Sequence, residues 1–248
     1  MPELQPHIQL SSDLGIRYAI LPGDPARIDR VKAHLDEARE LAFNREFRSA
    51  AGTYKGVPVL VLSTGIGGAS AAIAAEELHN IGVTHAIRIG SAGAYQSDIP
   101  IGQLLIACGA VKDDGASNTY APTAFPAVPS TELMNGCIRA ARTQGFSCRV
   151  GVVRSHDSFY TDGEMGICRK WSRYGVIGAD LETAALFTVG AVRGMKTASI
   201  LNNVVLYEAD AADAIGDYVD GAELAAAGER AEIITALEAL AAAAAEAE

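Results

Sequence analysis

The sequence predicts one α/β domain, a mainly parallel or mixed sheet covered by helices. Three observations predict it. Apolar, strand-like runs alternate with stretches of helical spacing along nearly the whole chain. The 248 residues suit a single large α/β domain. No internal repeat and no Pro/Ser-rich linker divides them, so the domain is placed at 1–248.

The elements follow in order. "IRYAILP" (16–22) is the first strand, and "DPARIDRVKAHL" (24–35) is a helix with Pro25 near its first turn. "GTYKGVPVLVLSTG" (52–65) is a hairpin turned at Lys55 and Gly56. "GGASAAIAAEELHNIG" (67–82) carries small and apolar residues at helical spacing and stops at Gly82. "THAIRIG" (84–90) and "GQLLIACGAV" (102–111) are strands, and "ELMNGCIRAARTQG" (132–145) is a helix. "CRVGVVRSHDSF" (148–159) is a strand, followed by the helix "GEMGICRKWSRYG" (163–175). "LETAALFTVGAVRG" (181–194) is a helix entered just after Asp180, and "KTASILNNVVL" (196–206) is the last strand. The alanine-rich tail, 223–248, has strong helix propensity. Its Ile233, Ile234, Leu237 and Leu240 should pack on the body, while about 241–248 has little to bury and is expected to fray.

A formal charge of −10 argues against broad electrostatic binding of nucleic acid. No apolar run reaches membrane-spanning length. The N-terminus has no basic segment followed by an apolar stretch, so no secretory signal is expected and the cytoplasm is the default. Cys108, Cys137, Cys148 and Cys168 form no CxxC pair and no zinc-like spacing, and free thiols are expected.

Glycine clusters end several strands: "PGDP" (22–25), "STGIGGAS" (63–70) and "RIGSAGA" (88–94). In α/β sheets ligands bind beyond the carboxyl ends of strands, and glycine lets backbone N–H groups approach an anion closely. "GIGGAS" is neither a dinucleotide fingerprint nor a P-loop, since it lacks the Gly-Lys-Ser/Thr ending. Glycines of this kind often do no more than make tight turns. Here Arg27 and Arg88 stand beside two of the clusters, and a buried arginine needs a partner. That combination points to a local anion site.

"LPGDPARIDRV", "NREFRSAAGTYKG", "VLSTGIGGASAAIAAEELHNIGV", "IRIGSAGA", "DGAS…YAPTAFPAVP", "SHDSFY" and "ADLETAAL" together resemble the nucleoside phosphorylase family. The likeness is nearest to its uridine phosphorylase branch and next to the hexameric purine nucleoside phosphorylases. It runs from His7 to about Asn203 with the motifs in the same order. It implies a central mixed sheet partly closed into a barrel and flanked by helices. It also implies a pentosyltransferase that cleaves an N-glycosidic bond, giving a free base and a pentose 1-phosphate. Inorganic phosphate is then the co-substrate, and no cofactor is expected.

By this resemblance phosphate is bound by Arg27, Arg88, the backbone at Gly23, and Ser91, with Arg45 reaching in from a neighbouring chain. Arginine offers a planar fork of donors and keeps its charge when partly desolvated. Glu182 is placed on the ribose hydroxyls, with Leu181 beneath the sugar and Asp180 as a weaker ribose candidate. His7 is placed across a subunit interface on the ribose 5′-hydroxyl, and Phe159 and Gly93 beside the base. Arg88, Glu182 and Arg27 carry the chemistry, because a fixed carboxylate and a phosphate both stabilise oxocarbenium character in the sugar. Glu46, Ile66 and Ser70 match positions that hold a monovalent cation, K+, at a dimer interface in some uridine phosphorylases. The implied partners are a nucleoside and phosphate, with no nucleic acid and no membrane. The implied assembly is a homo-oligomer with shared sites, a dimer or a hexamer built as a trimer of dimers. Taken singly, Arg45 reads as an ion pair with Glu46, Glu182 as a helix-start charge, His7 as solvated and Phe159 as core.

The pattern breaks at the base. The uridine branch carries a Gln-x-Arg pair shortly after "FY", but "FYTDGEMGICR" has no glutamine and its Arg169 lies too far along. "DGEM" is similar instead to the hexameric purine enzymes, which place an aspartate after the last strand to protonate the leaving purine. The nearest register here gives Asn203, Val204 or Val205, with Asp210 and Asp213 in the following loop. An amide such as Asn203 can hydrogen-bond the base but cannot protonate it. The expectation is a uridine phosphorylase-like enzyme with an atypical base pocket. The alternatives are a purine nucleoside phosphorylase, a hydrolytic nucleosidase and a non-catalytic nucleoside-binding protein. Retention of Arg27, Arg45 and Arg88 argues against the hydrolytic one.

Overall fold

The first strand, β1 (Tyr18–Pro22), is buried along its whole length. Such a strand is covered on both faces, as a continuous apolar run predicts. In the computed structural model, which describes residues 3–208 and 222–247, it lies near the middle of a nine-stranded sheet. The other strands are β2 (Asp36–Asn44), β3 (Phe47–Tyr54), β4 (Val57–Leu62), β5 (His85–Ala94) and β6 (Leu104–Asp113), then β7 (Cys148–His156), β8 (Gly178–Asp180) and β9 (Lys196–Val205). The helices are α1 (Arg27–Lys32), α2 (Gly68–Asn80), α3 (Gly115–Tyr120), α4 (Thr131–Thr143), α5 (Glu164–Arg173), α6 (Thr183–Arg193) and α7 (Ala222–Ala245).

The strand order is β2-β3-β4-β1-β5-β8-β7-β6-β9, with a further pairing of β5 to β9. That last pairing closes β5, β8, β7, β6 and β9 into a five-stranded mixed barrel, as the resemblance implies. β1 and β9 run parallel to β5, while β8 runs antiparallel to it. Helices α4 and α7 cover one face, burying Leu133, Cys137, Ile233, Leu237 and Leu240 against Ile20, Ile87 and Ile200. Helices α2 and α6 cover the other, with Ala75, Leu78, Leu186 and Val189 against Leu21 and Leu60. All four cysteines are free.

Several local outcomes differ from the sequence reading, among them α3, for which no element was expected. β2 was not foreseen, because its "DEARELAFN" is rich in charge. It is an edge strand paired only to β3, where charged residues guard an exposed edge. Helix α1 begins only at Arg27, since Asp24 Oδ1 accepts the Ala26 amide at 2.8 Å and holds the preceding residues in a turn. β8 has three residues and is too short to show a period, and α6 begins after it at Thr183. The tail does not fray at 241: α7 runs to Ala245, because Ala243 and Ala244 pack against the cluster that α4 completes. The hairpin turn at Lys55 and Gly56 stands as expected, with φ of 51° and 82° at the two positions.

Candidate active site

Parallel pairing brings the glycine clusters together. β1 and β5 are in register through Pro22 and Ile89, so "GDP" leaves the sheet beside "GSAG", which continues as the last part of β5. The third cluster joins them through hydrogen bonds from Thr64 N to Pro22 O (2.9 Å) and from Gly65 N to Gly23 O (3.0 Å). Beyond these strand ends lies a cavity of about 850 Å³. Gly23, Arg27, Arg88, Ser91, Gly93, Phe159, Leu181 and Glu182 line it.

Arg88 is buried, with 5% of its surface exposed. Its Nε donates to Asp180 Oδ2 at 2.9 Å and its Nη2 to Glu182 Oε2 at 2.5 Å. Its Nη1 has no partner among the described residues, and a Cβ added to Gly23 would stand 3.9 Å from it. Burial alone would weaken the Arg88 charge; Glu182 and Asp180 outweigh it and push the pKa up. Gly90 is required beside it, because an added Cβ would lie 2.5 Å from Arg88 Nη2.

Arg27, on the first turn of α1, is also buried. Its Nη2 lies 3.5 Å from Ser91 Oγ, on the cavity side. Its other nitrogens meet two carboxylates of α7: Nε donates to Glu229 at 3.0 Å and Nη1 to Glu232 at 3.1 Å. Glu232 is completely buried, accepts the Gly90 amide at 3.2 Å, and has its pKa pushed up to about 8 by burial. The sequence reading missed both glutamates. Their only signal is a carboxylate among the buried positions Ala231, Ile233 and Ala236 of an otherwise apolar face.

Glu182 does not serve as the N-terminal charge of its own helix. Its Oε1 accepts the Gly67 amide at 2.6 Å, at the start of α2, and its Oε2 accepts Leu181 N at 3.3 Å besides Arg88. Burial pushes its pKa up against the pull of Arg88. Asp180 requires a correction. Its side chain is fully buried and accepts Arg88 Nε, Ser155 Oγ, Thr183 N and Thr183 Oγ1, which leaves it a support for Arg88 rather than a ribose contact.

Asn203 is corrected as well. Its Nδ2 is spent on the carbonyls of Pro100 (3.0 Å) and Ile99 (3.4 Å), and the side chain is buried away from the cavity. The β5–β9 register shifts between Ala92 and Gly93, a bulge that aims Val204 and Val205 into the cavity instead. Asp210 and Asp213 lie outside the described residues.

Arg45 and His7 lie apart from this chain's own cavity, whereas Glu46 and Ile66 line it. Arg45 is exposed in the β2–β3 turn at φ 55° and makes no ion pair with Glu46. His7 packs edge-on to Phe47 and its Nδ1 lies 2.6 Å from Glu77 Oε1. Glu46 and Ser70 do come together, with Ser70 Oγ 2.6 Å from Glu46 Oε1, next to an Ile66 that is 81% exposed.

A second cavity, of about 510 Å³, shares Gly93, His156 and Phe159 with the first and continues to Tyr95 and Glu164. Arg154 Nη1 donates to Tyr95 Oη (2.8 Å) and Glu164 Oε1 (3.0 Å), and Tyr95 donates to the same Glu164 oxygen at 3.0 Å. His156 Nδ1 meets Ser158 O at 3.0 Å, while burial and then Arg154 pull its pKa down. This end of the site presents a neutral imidazole and a carboxylate. "SHDSFY" and "DGEM" contained both residues, but only the fold brings them together.

Comparison with known proteins agrees with this geometry. Residues 17–242 match the family model described as the phosphorylase superfamily. A crystal structure of uridine phosphorylase from Vibrio fischeri ES114 superposes with a TM-score of 0.90 at 46% identity, over 96% of this chain and 97% of that one. A uridine phosphorylase of Thermococcus kodakarensis is 40% identical over 209 residues, 79% of this chain and 76% of that protein. A guanosine phosphorylase of Halorubrum lacusprofundi is 34% identical over 196 residues, 79% of this chain and 81% of that protein. With two arginines and a carboxylate gathered at the glycine-rich strand ends of such a fold, this chain belongs to the phosphorylase superfamily and is uridine phosphorylase-like within it.

Proposed function

We propose that this uridine phosphorylase-like nucleoside phosphorylase cleaves its nucleoside with inorganic phosphate and reads the base through an atypical pocket. The observation that carries the phosphate role is the partnerless Arg88 Nη1 facing Gly23, beside Arg27 and Ser91. A buried donor without a partner costs free energy unless a ligand supplies one. Glu182, held by the Gly67 amide and Arg88, takes the ribose hydroxyls and fixes the sugar between carboxylate and phosphate. Phe159 and Gly93 border the base.

The active unit in this reading is a closed homo-oligomer. Arg45, exposed on its turn, reaches the phosphate of a neighbour's site, and His7 the neighbour's ribose. Exposed Phe43 and Ile66 flank that turn and the cavity mouth, as an interface requires. Glu46, Ile66 and Ser70 are the proposed monovalent-cation position between subunits.

A specific observation favours a purine as the alternative base. Glu164 Oε2 has only a 3.5 Å contact from Thr161, and a neutral His156 with its proton on Nδ1 presents an acceptor at Nε2. Acceptors suit a base edge carrying adjacent N–H groups, such as guanine, better than the oxygen-flanked edge of uracil. A panel of nucleosides assayed with and without phosphate tests the whole reading. Cleavage that is indifferent to phosphate makes the chain a nucleosidase; binding without cleavage makes it a nucleoside-binding protein.

A further inference from the structure

Arg27, Arg30 and Arg88 bring three positive charges to a network that holds the carboxylates of Asp180, Glu182, Glu229 and Glu232, with the exposed Asp24 also 3.5 Å from Arg30. With every group ionised the network is net negative, and it would then repel the dianion that its arginines are placed to hold. One carboxylate is the natural site of relief. Asp180 has four donors, Glu182 has Arg88 and two amides, and Glu229 bridges Arg27 and Arg30 near the surface. Glu232 has one arginine nitrogen at 3.1 Å, one long amide bond at 3.2 Å, and no exposed surface.

We propose that Glu232 is a proton-linked positioning residue for phosphate: wherever it is ionised it holds Arg27 Nη1 back from the anion, and protonated it leaves the Arg27 charge to the bound dianion. The inference rests on the phosphate reading above. The step is a single protonation, in which the Glu232 carboxylate takes a proton from the buffer as the anion arrives, with no other bond made or broken. The charged groups facing Glu232 are Arg27 from α1, Arg88 from β5 and Glu229 one turn earlier in α7, together with the Gly90 amide. Burial is the largest influence and puts its titration at about 8, where a bound dianion can readily draw a proton in.

Sulfate is the probe, because it stays dianionic where phosphate itself titrates. Calorimetric titration at pH 8, in two buffers of different ionisation enthalpy, counts protons taken up. The wild-type protein should take up about half a proton per sulfate, and its Kd should weaken about tenfold per pH unit above 8. Glu232→Gln should abolish both the uptake and the slope, and should bind sulfate more tightly than wild type at pH 9. An infrared difference spectrum of the wild type should gain a carboxylic-acid band when sulfate is added at pH 9, a readout that needs no variant to fold. Sulfate binding without proton uptake, or an unchanged slope in Glu232→Gln, overturns the inference. Failure of both sulfate and phosphate to bind at any pH overturns the phosphate reading with it, and is distinguishable from binding without a proton.

Discussion

Arg88 Nη2 lies 2.5 Å from Glu182 Oε2, so the arginine assigned to phosphate and the carboxylate assigned to ribose are joined before any substrate arrives. One β5 side chain thereby ties the two halves of the site together. Asp180 holds the other edge of the same guanidinium at 2.9 Å.

Arg88→Ala should lower kcat/KM by about 10²-fold or more, at about 1.4 kcal/mol per decade. It should also destabilise the fold by about 3–5 kcal/mol, because two buried carboxylates lose their cation. Asp180→Asn should act on catalysis through Arg88, raising KM for phosphate with a smaller loss of kcat, besides a loss of stability from its bonds to Ser155 and Thr183. Steady-state kinetics with phosphate varied, beside denaturant titrations, separate the two. Equal loss of kcat in both variants would contradict the supporting role given to Asp180.

Stability should fall as pH rises. Glu232 holds its proton to about pH 8 in the folded chain, against an ordinary 4.5. The folded state therefore binds more protons between those values, and the stability this contributes is complete below about 4.5 and lost as pH rises through about 8. Glu182 is shifted in the same direction by burial. Thermal melts from about pH 7 to 9, above the titration of the histidines that the fold holds below their ordinary pKa, should show a declining Tm, flattened in Glu232→Gln. A Tm that climbs across this range would mean that Glu232 is ionised in the folded protein.

Chains inactivated at Arg45 and chains inactivated at Arg88 should complement one another. If Arg45 serves a neighbour's phosphate, mixed oligomers of Arg45→Ala and Arg88→Ala contain some sites with both arginines intact. Activity should reappear on mixing through a dissociation and reassembly step. Two inactive variants that stay inactive when co-assembled would place Arg45 outside the site.

Glu164→Gln should change base preference by about tenfold or more. The change keeps the contact to Arg154 and Tyr95 but replaces a pure acceptor facing the base with an amide that also donates. The ratio of kcat/KM for uridine over guanosine is expected to rise. An unchanged ratio would move base reading elsewhere, for example to His156.

Much of this protein was determined locally by its sequence. The β1 and β5 runs, the Lys55–Gly56 turn and the α2 and α6 patterns follow from periodicity and turn chemistry acting within a few residues. Arg27 and Arg88 were legible because they stand beside glycine clusters at strand ends, which parallel pairing gathers. Gly23, Ser91, Leu181 and Glu182, which line the same cavity, were named through the family resemblance of their motifs. The tertiary structure decided the rest. Three-residue β8 and charged β2 exist only because partner strands supply their hydrogen bonds. The bulge opposite Gly93 turned Asn203 away and Val205 in, and no local pattern records a register shift made between distant strands. Glu232 lies 205 residues from Arg27 in sequence, and what makes it matter is the low-dielectric interior formed when α7 closes over both.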